Sequence, residues 1–105
     1  MQLIRKDMKK LQVWRHQATD TYLGMEEGNW VKHRVLYGRV LPAESRLAHA
    51  LYGRRVEKMI EIFLGDGDLE EGEGISLSPD TMQPSYLIVS CRQYDGHCRA
   101  WGESL

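Results

Sequence analysis

Apolar and polar residues alternate with the period of a β-strand in the first half of the chain. Leu11 and Val13 alternate with polar neighbours over residues 11–16, which indicates a half-buried strand. The acid- and glycine-bearing stretch 18–29 predicts a hairpin loop. A second strand is predicted over residues 30–41, where β-branched and aromatic residues share one parity. The residues of that parity are Val31, Val35, Tyr37 and Leu41.

The middle of the chain, residues 42–64, combines a helical pattern with a strand pattern. Leucines fall near helical spacing, and Ser45 or Glu44 can cap a helix. Gly53 interrupts one long helix at a cost of about 1 kcal/mol. The sequence therefore leaves two descriptions open for this part: a long loop, or a loop that contains a short helix at Ser45–Tyr52.

The remaining residues predict shorter strands. A compact apolar run indicates a buried strand from about Val56 to Leu64. Residues 65–68 predict a turn, and Ile75 with Leu77 predicts a short strand after an acidic stretch. The pair Asp95-Gly96 lies between two apolar-rich runs, which is a strong signal for a hairpin because Gly takes positive φ at no steric cost.

These elements predict a mainly β fold, a small barrel or sandwich of about six short antiparallel strands. The mid-chain loop or short helix interrupts the strands. A length of 105 residues leaves room for one modest core, so we expect residues 1–105 to form a single domain.

Charge is distributed unevenly along the chain, although the formal net charge is −1. Residues 1–58 carry 12 Lys/Arg and 6 Asp/Glu, and residues 59–105 carry 2 and 9. The near-neutral total argues against a dedicated nucleic-acid-binding protein. Opposite signs suit head-to-tail association of copies, and they equally suit two solvated faces of a monomer. Both interpretations stay open at this point.

Candidate chemistry is sparse, so we expect no enzyme, no cofactor and no metal. The acidic stretch that begins at Asp66 resembles a calcium loop, but Glu71 and Leu77 stand where that loop needs Gly and Glu. Cys91 and Cys98 are expected to be free thiols, because structural zinc needs two more ligands. No apolar run is long enough to span a bilayer, and the start lacks a secretory pattern, so we expect a cytoplasmic protein.

A nucleic-acid-binding barrel is an alternative function. Its motivating features are the basic residues near the start, Arg5, Lys6, Lys9 and Lys10, and the Trp and Tyr content. In a domain of this size, aromatic residues at strand positions are more often part of the core or of an interface. The expected roles of the aromatic residues are therefore structural.

The order of features along the chain resembles the head-closure (stopper) proteins of siphophages, which belong to the head–tail connector. The features that carry the resemblance are residues 3–11, Leu36 to Leu41, Pro42 to Ser45, Tyr52-Gly53, Glu57 to Phe63, Leu69 to Gly72 and Tyr86 to Val89. The first hairpin and the acidic region are shorter than is common in that family. Head–tail adaptors and tail terminators are related alternatives, because they are also small and form rings.

The resemblance implies a structural protein of the virion, assembled in the host cytoplasm, with no membrane association. Its partners would be copies of itself in a ring of twelve, or of six, together with the portal or adaptor, tail proteins and packaged double-stranded DNA. Such a subunit would help retain the DNA and provide the surface for tail attachment.

The resemblance also implies a loop at residues 42–55 that projects into the channel. The residues that would face the DNA phosphates are Arg46, His49, Arg54 and Arg55. Gly53 would be a hinge when the loop rearranges. The alternative for this segment is a surface helix that packs Leu47 and Leu51 onto the core.

Overall fold

The computed structural model describes residues 8–20, 26–78 and 81–105, and it confirms a mainly β fold. Six antiparallel strands close into a barrel in the order β1-β2-β3-β6-β5-β4. The elements in chain order are β1 Lys9–Asp20, β2 Glu26–Pro42, helix α1 Arg46–Tyr52, a 3-10 helix Gly53–Lys58, β3 Met59–Leu64, β4 Gly74–Ser76, β5 Tyr86–Tyr94 and β6 His97–Ser104. Closure pairs every strand of the barrel on both sides.

The first hairpin is longer than the sequence indicated. Strands β1 and β2 pair from Lys9 opposite Gly38 to Asp20 opposite Glu26, so most of the predicted loop 18–29 is strand. Beyond Trp14 this ladder has no third strand among the described residues, and it forms a two-stranded arm. The rest of that loop, residues 21–25, and the predicted basic residues at 5 and 6 lie outside the described residues.

A β-bulge interrupts the pairing of β1 with β2, and the extra residue is His33 of β2. The register shifts between Val13 and Trp14, and both side chains are buried. The indole Nε1 of Trp14 donates a hydrogen bond to Ser76 Oγ at 3.0 Å. Trp14 was predicted on the polar parity of this strand. It is buried on that face beside Ser76, and the Lys32 ammonium covers its ring at 5.6 Å from the centroid.

The barrel interior is filled by apolar side chains from all six strands and from the turn that precedes β4. Leu36 and Val40 of β2 pack against this cluster from its edge. The buried members are Leu11, Val13, Ile62, Leu64, Leu69, Ile75, Ile88, Cys98 and Ala100.

The mid-chain segment contains the short helix. Ser45 is the N-cap of α1, and its hydroxyl accepts a hydrogen bond from the Ala48 amide. The 3-10 helix occupies residues 53–58, so β3 begins at Met59 and not at the predicted Val56.

The described chain has no helix that meets the length and hydropathy needed to cross a bilayer.

Both helical turns pack on the outer surface of the barrel, over Trp101 of β6. Trp101 has the parity opposite to the interior residues Cys98 and Ala100, yet it is fully buried. A second core cluster forms around it from Ala43, Ala48, Val56 and Met59, with Leu47, Tyr52 and Val89 packed against it. Of the two leucines expected on the core, Leu47 packs there, whereas Leu51 is 45% exposed.

The last two strands confirm the predicted hairpin, with its turn at Asp95-Gly96 and φ of +80° at Gly96. Cys91 lies opposite Ala100, and Cys98 lies opposite Gln93, which is the register expected for a two-residue turn. The cysteines are therefore diagonal neighbours and are both free thiols. Burial raises the pKa of Cys98, and it raises that of Cys91 to about 11.

Gly38 allows β2 to lie close to β3, which leads to a prediction about stability. A Cβ atom at position 38 would lie 2.7 Å from Leu64 Cδ2 and 2.9 Å from the Phe63 carbonyl oxygen. The oxygen belongs to a paired strand and cannot move aside. We expect Gly38→Ala to lower the free energy of unfolding by about 2 kcal/mol, measured by urea denaturation.

Gly102→Ala is the matched control for this substitution, because a Cβ there would meet side-chain atoms at 3.4 Å or more. We expect the control to cost less than about 1 kcal/mol. Equal losses for the two variants would show that close approach of β2 and β3 does not explain Gly38.

Candidate functional site

The candidate channel residues lie on two helical turns at one end of the barrel. Arg46 and His49 are exposed on α1, and Arg54 is exposed on the 3-10 helix. Gly53 joins the two turns with φ of +57°, and its amide donates a hydrogen bond to the carbonyl oxygen of His49. This positive φ favours glycine at the junction, and the proposed hinge role stays a prediction.

Arg55 differs from the other three candidates because it is held by β6. Its Nε and Nη2 atoms donate to the two carboxylate oxygens of Glu103 at 2.8 and 2.9 Å. The guanidinium also lies over the Tyr52 ring, 5.4 Å from its centroid. Hydrogen bonding to Arg55 lowers the pKa of Glu103. In this conformation the charge of Arg55 is already balanced within the chain.

A buried ionic network fixes the start of α1. Glu61 of β3 accepts hydrogen bonds from Ser45 Oγ at 2.5 Å and from Arg99 Nη2 at 2.7 Å. Burial by itself would raise the pKa of Glu61, but the hydrogen bonds from Ser45 and Arg99 outweigh it, so this pKa is lowered. The segment after β2 is therefore tied to two barrel strands, and it is not a free loop.

A second buried carboxylate orders the acidic region before β4. Glu73 is 4% exposed, and its oxygens lie 2.6 and 3.0 Å from the two terminal nitrogens of Arg34. Its Oε1 also accepts a hydrogen bond from the backbone amide of Glu70 at 2.8 Å. The Nε atom of Arg15 lies 3.7 Å from its Oε2. Burial would raise the pKa of Glu73, but Arg34 and the Glu70 amide lower it overall. No sequence pattern indicated this role.

The ion pairs connect the two oppositely charged parts of the sequence. Among the described residues there are four ion pairs, and three of them join a base from residues 1–58 to an acid from residues 59–105. Part of the uneven charge is therefore neutralised by ion pairs within each molecule. Neither of the two interpretations offered by the sequence included these internal pairs.

Strand β2 presents a row of apolar side chains to solvent. The exposed fractions are 40% for Val35, 56% for Tyr37 and 37% for Leu41. Val31 is also exposed, but the bulge at His33 turns it to the other face of the ladder, where it lies opposite Arg15. The residues between them, Leu36 and Val40, pack on the interior cluster. The predicted strand is correct, but the parity that marked it faces outward. Such a row is a feature of interaction surfaces.

Basic side chains flank this apolar row. Lys10 of β1 lies opposite Tyr37, Arg39 lies between Tyr37 and Leu41, and Lys32 precedes Val35. These three bases are exposed, and none forms an ion pair within the described part of the chain. We call this surface the β2 face: Val35, Tyr37 and Leu41, with Lys10, Lys32 and Arg39 around them.

The sequences of β1 and β2 explain why the β2 face is positively charged. Residues 8–16 and 29–42 contain Lys, Arg and His but no Asp or Glu. A partner for the β2 face must therefore cover apolar side chains and tolerate, or supply charge for, a basic rim.

The aromatic residues divide into buried and exposed groups. Trp14 and Trp101 are buried, and their rings pack within the fold. Tyr37 is exposed on the β2 face, and Tyr94 is 41% exposed and stacks on His97 at a centroid distance of 4.8 Å. Tyr22 lies outside the described residues.

In residues 8–20, 26–78 and 81–105, no group of three or more His, Cys, Asp or Glu side chains is placed to hold a metal ion.

Comparison with known proteins supports the fold. No protein-family model matches the chain, and no curated protein matches it in sequence. The solution structure of protein SF1141 from Shigella flexneri 2a, a structural genomics target, superimposes with a TM-score of 0.68. The match covers 91% of this chain and 90% of that protein at 12% sequence identity. At this identity the similarity shows a shared fold and nothing about function.

The lowered pKa of Glu73 leads to a prediction about acid stability. Its stabilising contribution is complete above the ordinary carboxylate pKa of about 4.3, and it is lost as the pH falls through the lower folded value. At pH 7, Glu73→Gln leaves Arg34 partly buried without its charge partner. We expect the variant to lose about 2–3 kcal/mol of unfolding free energy at pH 7 and much less at pH 3, measured by urea denaturation.

The control for this measurement is Glu44→Gln, which removes an exposed carboxylate that forms no ion pair in the described structure. We expect the control to follow the wild-type protein at both pH values. A Glu73→Gln deficit that stayed constant from pH 7 to pH 3 would contradict the role of the charged carboxylate.

Proposed function

We propose that this protein is a ring-forming structural subunit of a bacteriophage head–tail connector, of the head-closure or stopper type. In this function it helps retain packaged DNA and provides a surface for tail attachment, with no reaction to catalyse. It acts in the virion after assembly in the host cytoplasm. The observation that carries the proposal is the exposed apolar row on the β2 face.

A closed barrel restricts how copies can associate. Around the closed barrel the strands have paired neighbours on both sides, so another copy that contacts the barrel wall must use side chains; the β1–β2 arm beyond Trp14 has strand edges that are unpaired within the described residues. The apolar row extends over six residue steps from Val35 to Leu41, about 20 Å at the usual strand rise. An apolar strip on the side of a compact subunit suits repeated contact with neighbouring copies, as in a ring.

The anchored segment at residues 42–58 suits the channel side of such a ring. Its start is fixed by the Glu61 network and its end by Arg55 and Glu103. Arg46, His49 and Arg54 remain exposed between these two fixed points. In the proposed ring of twelve, or of six, these three side chains face the DNA phosphates.

The main alternative, a nucleic-acid-binding barrel, has weaker support. Two of the three tryptophans, Trp14 and Trp101, are buried and cannot stack on bases. Two of the three apolar residues on the β2 face are aliphatic, which suits a protein partner. Adaptor and tail-terminator functions would use the same kind of surface, and they differ from the stopper by the partners that the ring contacts.

The proposal predicts that polar substitutions on the β2 face prevent assembly. We expect the wild-type protein to form rings on its own at high concentration or on the connector's adaptor ring, observed by analytical ultracentrifugation and negative-stain electron microscopy. The double variant Val35→Ser/Tyr37→Ser should fold normally but should need at least about tenfold more protein to assemble, because apolar area is lost from the interface.

Leu51→Ser provides the control for exposed apolar area outside the β2 face, since Leu51 is 45% exposed on α1. The control should assemble like the wild-type protein. Circular dichroism would verify that all variants are folded. A wild-type protein that stays monomeric with and without connector components would overturn the proposed function.

A further inference from the structure

A group of exposed acids lies in the turn between β3 and β4. The turn between β3 and β4 carries four exposed carboxylates, and none of them forms an ion pair in the described structure. No Lys or Arg occurs between residues 59 and 91 to offset them. We call this surface the acidic end: Asp66, Asp68, Glu70 and Glu71.

The acidic end is held in place by the fold. Leu69 lies between these carboxylates in sequence, and it is 2% exposed in the interior cluster. The Gly72 amide donates to the Ile88 carbonyl oxygen at 2.9 Å, and the Asp68 carbonyl oxygen accepts from Arg34 at 2.7 Å. A fixed turn can present its charges to a partner without a further ordering cost.

The basic and acidic surfaces of this chain are complementary. Within residues 8–20, 26–78 and 81–105, Lys10, Lys32 and Arg39 around the β2 face and the four carboxylates of the acidic end form no ion pair. The bases around the β2 face share one sign, and so do the carboxylates of the acidic end, of which Asp66 borders Val35 and Tyr37. Like sets of charges repel each other when two copies meet. Charge therefore favours contact between unlike surfaces of two copies.

We infer that the β2 face of one copy binds the acidic end of the next copy. This inference rests on the proposed ring function and specifies the interface between its subunits. The apolar row supplies the buried area, and the exposed ion pairs at its rim each add little free energy but select the partner surface. The other anionic partner for a basic surface would be a nucleic acid, and the aliphatic residues Val35 and Leu41 favour the second copy.

Charge reversal on each surface tests the inference. The face variant is Lys10→Glu/Arg39→Glu, and the end variant is Glu70→Lys/Glu71→Lys. None of these side chains belongs to the internal ion pairs. Each variant alone presents two surfaces of the same sign, so we expect its assembly to need at least about tenfold more protein than the wild type.

Mixing the two variants gives the decisive measurement. The reversed face of one variant matches the reversed end of the other, and their unchanged surfaces also match. An equimolar mixture should therefore assemble near the wild-type concentration, with the two variants alternating. A single chain that carries all four substitutions should also assemble, because both of its surfaces are reversed. Sedimentation velocity at low and high salt would measure all four samples.

Three results would overturn the inference. Variants that assemble as readily as the wild type would show that these charges do not face each other. A mixture that fails although both variants are folded would exclude this pairing of surfaces. Loss of binding to a double-stranded DNA oligonucleotide by the face variant, with assembly unchanged, would assign the β2 face to nucleic acid. In each case the wild-type protein still assembles, so the proposed function survives; a wild type that never assembles rejects that function itself.

Discussion

The buried carboxylate of Glu73 holds the strand on which barrel closure depends. Strand β4 has only three residues, Gly74–Ser76, and it is the link between β1 and β5. Glu73 precedes it directly, and the carboxylate ties this point to β2 through Arg34 and to its own turn through the Glu70 amide. The contact also joins the basic and acidic parts of the chain, so attraction between them favours the closed barrel. Without closure, β1 and β5 would each expose an unpaired edge.

Much of the fold could be predicted from the sequence, because local patterns specified it. The Asp95-Gly96 turn fixed the register of the last hairpin, including the positions of both cysteines. Ser45 was one of the two caps considered for α1, and it is the cap observed. The start of β3 was misplaced, because apolar spacing alone does not separate a 3-10 turn from the strand that follows it.

The candidate site was harder to predict, because alternation gives a period and does not say which parity faces inward. Val31, Val35, Tyr37 and Leu41 are the more hydrophobic parity of β2, yet the interior parity contains Gly38, where β3 approaches closely. Glu73 stood in an acidic stretch that resembled a solvated turn, and its partner Arg34 is 39 residues away. Ion pairs this distant in sequence leave no local pattern. Only the folded chain shows which charges remain for a partner.

Burial of Cys98 and partial burial of Cys91 make both thiols of the native protein poorly reactive. With a pKa of about 11, the Cys91 thiol is ionised in about one molecule in ten thousand at pH 7, and Cys98 is fully buried. Maleimides and disulfide reagents react with thiolates, so modification of the fully buried Cys98 should be limited by how often the pairing of β5 with β6 opens. The rate of alkylation would therefore measure how often the barrel opens locally. A cysteine introduced on the surface would be labelled almost selectively.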